Sequence, residues 1–204
     1  MSQTFAQADN PEVLRLLNLK TGPHTVYIDG FAISAETPTG AVAPSGQVVI
    51  DAFATPQVGW MVIGQADAGT ASGKPLDARC LKTTYKVGAS LLLGLVRAVR
   101  PGTLAGTKEL SFSLAAIRGT RLLVQVEESD GGEYNAQIDV TGGSTAQSIE
   151  LPFTSFTAGD DSKDTNATLD TPLIKSITII DTSGVVGGLE QENTLWVGPI
   201  RAQG

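Results

Sequence analysis

The sequence predicts an all-β protein, an antiparallel β-sandwich with little helix. Three observations lead there. Short segments rich in β-branched and aromatic residues recur along the chain, most of them bounded by Gly, Pro, Asp or Ser. Several of these segments alternate apolar and polar residues with a period of two, the signature of a half-buried strand. No helical periodicity separates them, so the strands must pair with one another in antiparallel sheets.

Taken in order, the strand segments are QVVIDAF (47–53), CLKTTYKV (80–87), LLLGLVRAV (91–99), ELSFSLAA (109–116) and RLLVQVEE (121–128). YNAQIDV (134–140), SIELPF (148–153), SITIID (176–181) and TLWVGPI (194–200) complete the set. In RLLVQVEE, Leu122, Val124 and Val126 share one face, and Leu123, Gln125 and Glu127 the other. In YNAQIDV, Tyr134, Ala136, Ile138 and Val140 oppose Asn135, Gln137 and Asp139. ESDGGE between them reads as a hairpin turn, with Gly131 and Gly132 supplying positive φ. Cys80 opens a strand with no neighbouring base and reads as a buried structural thiol. Phe153 and Phe156 are expected to anchor the start of the long polar loop FTSFTAGDDSKDTNATLD on the sandwich edge.

The chain states nearly the same phrase at both ends. HTVYIDGF at 24–31 lies over NTLWVGPI at 193–200, each preceded by Asp-x-Pro and an apolar stretch. AETPTGAVAPSG at 35–46 has the composition of a linker. The expected organisation is a partial β-hairpin over 1–34, a linker over 35–46 and a complete sandwich over 47–204. The hairpin reads as the tail of a preceding module, so neighbouring modules and self-association through the hairpin are expected partners. A thirty-residue strand pair cannot bury its own apolar side.

Charge narrows the function classes. A net charge of −7 lacks the basic footprint that phosphate needs, which argues against nucleic acid and anionic membranes. The longest apolar run, ASLLLGLV, is far short of a membrane span of about 20 residues. MSQTFAQADN has no basic start or apolar segment, so a secretion leader is expected to lie outside this chain.

From residue 48 onward the order of phrases resembles the galactose-binding-like jelly-roll modules attached to bacterial glycoside hydrolases. VIDAF followed by Trp60 is similar to their opening strand, and CLKTTYKV to the second. ELSFSLAAIRGTRLLVQVEESDGGEYNAQIDV resembles their central hairpin, and ITIIDTSG and NTLWVGPI their closing strands. The resemblance implies a jelly-roll fold and a non-catalytic carbohydrate-binding module in an extracellular or cell-surface protein. A structural or adhesive domain without a sugar ligand is the alternative. Such modules often carry an Asp after the aromatic of the last strand, near a structural calcium. Asp29 holds that place in the first copy, and Gly198 in the second.

The residues agree with a non-enzyme. The single histidine, His24, falls in the partial hairpin, and neither HExxH nor GxSxG occurs. A sugar asks for hydrogen-bonding side chains beside an apolar or aromatic platform. Gln125, Glu127, Asn135 and Gln137 form the expected polar patch, with Trp196 or Trp60 as the stacking ring. Asp164-x-Asn166-x-Thr168-x-Asp170 places oxygen ligands at alternate positions, so Asp164, Asn166 and Asp170 are the candidate ligands of a hard cation such as calcium.

Overall fold

A computed structural model describes residues 46–55, 59–89, 91–184 and 190–204. The expected hairpin over 1–34, and with it His24 and Asp29, lies outside the described residues, as does the linker up to its last glycine. Among the described residues, thirteen strands form two antiparallel sheets. They are β1 (Val48–Asp51), β2 (Met61–Ile63), β3 (Ala66–Ala71), β4 (Cys80–Val87), β5 (Leu93–Ala98), β6 (Glu109–Ala116), β7 (Thr120–Glu128), β8 (Glu133–Val140), β9 (Gln147–Pro152), β10 (Thr157–Ala158), β11 (Ile174–Asp181), β12 (Gln191–Val197) and β13 (Ile200–Gln203).

The seven-stranded sheet runs β3–β4–β12–β6–β9, and β13 continues β12 along β6 and carries β1 on its free edge. The six-stranded sheet runs β10–β8–β7–β11–β5–β2. Between them lies one continuous apolar core, to which both sheets contribute alternate residues. Leu81, Tyr85, Leu114, Leu195 and Val197 come from the first, and Leu95, Leu122, Val124, Val126, Ile177 and Ile179 from the second. Each has almost no exposed surface. This is the all-β sandwich the period-two pattern predicts, because alternate residues of each strand must find apolar cover.

One polar device ties the sheets together. Tyr85 Oη donates to Asp181 Oδ2 across the core at 2.6 Å, and Thr120 Oγ1 donates to the same oxygen at 2.7 Å. Ser183 satisfies Oδ1 through its amide and hydroxyl, so this buried carboxylate has a full set of donors. Burial, and after it the Asp181 charge, drives the Tyr85 phenol far above its usual range. Phe153 and Phe156 are both buried with ring centroids 5.8 Å apart. They pin the start of the long loop as expected.

Cys80 is fully buried. The β7–β8 turn has positive φ at Gly131 alone. Gly132 is needed for another reason: a Cβ there would collide with the Glu128 carboxylate.

Candidate functional site

The outer face of the six-stranded sheet carries the predicted polar patch. Register places Gln125 opposite Asn135, Leu123 opposite Gln137, and Glu127 opposite Glu133. On the other side of β7, Thr178 pairs with Gln125 and Ser176 with Glu127. All of these have the parity opposite to the buried Val124, Val126 and Ala136, so they share one surface. Glu127 is held by Lys175 at 2.8 Å and by the Ser176 hydroxyl at 3.3 Å. Gln125 Nε2 donates to Glu133 Oε2 at 3.4 Å. Asn135 is half-buried and its Oδ1 has no hydrogen-bond partner. Gln137 stands exposed.

Sequence reasoning missed Glu133, Lys175, Ser176 and Thr178. The alternation of Ser176 and Thr178 with Ile177 and Ile179 was readable. Which strand lies beside β7 was not.

Toward β5 and β2 the same face turns aliphatic. Leu123 sits beside Ile180, Ile180 beside Gly94, and Gly94 beside Ile63; Thr178 sits beside Val96, and Val96 beside Met61. Met61 is 60% exposed, Ile63 45% and Leu92 39%. The surface therefore grades from hydrogen-bonding groups to an open apolar strip. Apolar strips of this kind mark contact surfaces more often than chance exposure does.

The two tryptophans do not join this patch. Trp60 is 5% exposed, packs 6.3 Å from Phe53 and donates its Nε1 proton to Asp51 Oδ2 at 3.0 Å. As a core residue it has no ring face to offer, which corrects the expectation that it is a stacking platform. Trp196 points away from the core between Leu195 and Val197, as strand parity requires, but on the seven-stranded sheet. It lies on the opposite outer surface from Gln125. It packs on a small cluster of Leu76, Cys80 and Ala115, as Ala71 also does, and Lys82 Nζ stands 6.0 Å from its ring. An open groove of about 200 Å³ lined by Asp67, Gly69, Lys82 and Thr84 runs along this surface. Every other described aromatic side chain is buried.

At the end of β7, where Glu128 faces the inner side, is an acidic cluster. Glu128, Asp130 and Asp164 bring carboxylate oxygens within 4.8 Å of one another and can hold a metal ion. Glu128 has no exposed surface and its Oε2 has no partner, while its Oε1 accepts the Asp170 amide. Burial, then the nearby Asp130, Asp164 and Asp170 charges, raise the Glu128 carboxyl above the usual range, against the opposing Asp170 amide. Asp164 goes the other way: the Tyr134 hydroxyl and backbone amides of the loop lower it. Among the described residues no lysine, arginine or histidine forms an ion pair with the cluster.

The structure thus keeps Asp164 but gives it different companions from those the spacing suggested. Asn166 and Asp170 are spent inside the loop. Asn166 Nδ2 donates to Asp170 Oδ2 at 2.8 Å, and its Oδ1 accepts the Thr168 amide at 2.7 Å. Short polar side chains at alternate positions make such local turns readily. Glu128 and Asp130, some forty residues earlier, complete the set instead.

No family model and no curated protein matches the sequence. Solved structures do match the fold. The family 11 carbohydrate-binding module of the cellulosomal cellulase Lic26A-Cel5E of Clostridium thermocellum superposes with a TM-score of 0.63 at 19% identity, covering 79% of this chain and 96% of that one. The same bacterium's family 11 module in complex with a β-1,3-1,4-mixed-linked tetrasaccharide gives a TM-score of 0.62 at 19% identity, covering 79% and 98%. An exo-β-agarase gives 0.58 at 16% identity, where 78% of this chain covers 25% of the enzyme. The described sandwich has the jelly-roll fold of these carbohydrate-binding modules.

Proposed function

We propose that this chain is a non-catalytic carbohydrate-binding module that takes a glycan on the outer face of the six-stranded sheet. One observation carries the reading. On a fold shared with carbohydrate-binding modules, Gln125, Glu127 and Gln137 present donors and acceptors around the half-buried Asn135 amide, beside an exposed aliphatic strip. That pairing suits the two chemistries of a pyranose, hydroxyls at its edge and C–H groups on its face. Glu127 lies on an open sheet surface, held by Lys175 and Ser176, and its carboxylate oxygens keep lone pairs for a glycan hydroxyl. An extracellular or cell-surface setting, with neighbouring modules, follows from this reading.

The cation belongs to the same proposal. The donors at Glu128, Asp130 and Asp164 are all carboxylate oxygens, which favours a hard ion. Oxygens on one calcium sphere, with bonds of about 2.3–2.6 Å, lie no more than about 5.2 Å apart, and the carboxylate oxygens of the three residues lie within 4.8 Å of one another. The unpartnered, fully buried Glu128 Oε2 is the strongest mark of fit. Calcium would join the β7–β8 turn to the loop after β10 and supply structural rather than catalytic chemistry.

Affinity electrophoresis and calorimetry against plant and microbial polysaccharides, with mixed-linked β-glucan first, test the reading. Glu127→Ala should weaken binding by about 1–3 kcal/mol, the range for a hydrogen bond to a charged group, and Gln137→Ala by less. Trp196→Ala should leave affinity unchanged. If Trp196→Ala abolishes binding and the sheet variants do not, the site is on the seven-stranded sheet. A folded protein that binds no polysaccharide would favour the structural or adhesive role, which the burial of every described aromatic but Trp196 supports.

A further inference from the structure

Three hydrogen bonds stitch the loop after β10 onto the β7–β8 turn. Gly159 N–H donates to Glu133 O at 2.8 Å, Glu133 N–H donates to Ser162 Oγ at 3.0 Å, and Lys163 N–H donates to Gly131 O at 3.0 Å. The next residue is Asp164, tethered by the Tyr134 hydroxyl and facing Glu128 and Asp130. One stretch of six residues therefore touches the acidic cluster at one end and the glycan face at the other. At the glycan end the contact is tight: a Cβ on Gly159 would stand 2.7 Å from Asn135 Nδ2. Thr157, two residues earlier, pairs with Asn135 in the β10–β8 ladder.

We infer that cation binding and glycan binding are positively coupled through residues 159–164, the docked loop being the state both ligands require. The inference rests on the glycan-face reading above. Without a cation the loop brings Asp164 against the carboxylates of Glu128 and Asp130, and like charges at this range oppose docking. A cation turns that repulsion into shared ligation and holds the loop down. The docked loop caps the main chain of Glu133 and confines the amide of Asn135, so the glycan meets a face already ordered. A ligand that orders a segment lowers the cost of ordering for the second ligand, and the effect is reciprocal. Neither ligand touches the other: Glu128 and Glu127 are neighbours in sequence on opposite sides of β7.

The experiment uses the full chain with calcium chloride and a β-1,3-1,4-mixed-linked tetrasaccharide as probes. Chelation by EDTA should lower tetrasaccharide affinity at least about fivefold, the lower end of typical coupling. Saturating tetrasaccharide should raise calcium affinity by the same factor. Hydrogen exchange should show calcium alone protecting the amides of Glu133, Gly159 and Lys163. Ser162→Ala, which removes one stitch without touching either ligand, should shrink the coupling while both ligands still bind. Two ligands that bind with mutual indifference overturn the coupling and leave the glycan face standing. Failure of calcium to bind or to protect those amides overturns the coupling alone. Calcium binding with no tetrasaccharide binding overturns the glycan-face reading, and the coupling with it.

Discussion

Glu127 and Glu128 stand side by side with opposite surroundings: one paired at the surface, the other sealed in the sandwich beside three more carboxyl groups. For Glu128 the sign of the pH effect is fixed by its raised carboxyl. Unfolded, it titrates near ~4.3. In the metal-free fold it holds its proton to higher pH, so between those two values the native state binds more protons than the unfolded one. Stability of the metal-free protein therefore falls as pH rises through that window. The lowered Asp164 acts oppositely, adding stability above its unfolded value that is lost in acid. Glu128→Gln should remove the first slope and raise the metal-free melting temperature at pH 7.5 by a few degrees, roughly 2–4 °C for each kcal/mol in a domain of this size. The same variant should lose the gain from calcium, which at a hundred times its Kd is about 2.7 kcal/mol in the parent. Thermal melts with EDTA and with calcium check both. A variant that still gains from calcium would place the ion elsewhere. Glu128 itself was invisible as a ligand in the sequence, because only the chain path of the loop brings Asp164 back to it.

At the scale of elements, strands with a strong period-two pattern were legible almost to the residue. Cys80–Val87 and Glu109–Ala116 match their sequence segments end to end. The missed strands share a cause. Ala66–Ala71 is built of small residues and sits at a sheet edge, and Met61–Ile63 and Thr157–Ala158 are three and two residues long. Each is a strand because a neighbour offers it a ladder, not because its own side chains demand one. The last segment, read as one strand through TLWVGPI, divides into β12 and β13 at Gly198-Pro199. Gly198 N–H donates to Ser113 O at 2.8 Å, and a Cβ there would lie 3.3 Å from Ser113 Cβ and 3.4 Å from Leu76 Cδ1. Packing by the Leu76 loop occupies the place where the first copy of the phrase has an acid. Gly198→Asp, which writes the first copy's residue into the second, should destabilise the sandwich by about 1–3 kcal/mol through overpacking. Urea unfolding with an unchanged midpoint would show that the Leu76 loop yields freely.

For the molecule as a whole, the question is whether the segment before residue 46 is needed for the fold. Residues 46–204 number 159, and the 79% of the 204-residue chain that covers nearly all of a family 11 module is about 161. Among the described residues the core draws on strands from Val48 to Gln203. The repeated phrase is consistent with this division, since the closing strands that resemble HTVYIDGF are supplied by NTLWVGPI, already paired with β4 and β6. Deleting residues 1–40 should therefore leave a cooperatively folded sandwich that keeps calcium and glycan affinity. If Leu14, Leu17, Val26 and Ile28 mediate association, the deletion should also turn any dimer into a monomer, because apolar strands of the kind the sequence suggests there seek a partner surface. Sedimentation velocity with far-ultraviolet circular dichroism on the truncated chain reads both properties. A truncated chain that unfolds or precipitates would make the N-terminal segment an integral part of the one domain and end its reading as the tail of a preceding module.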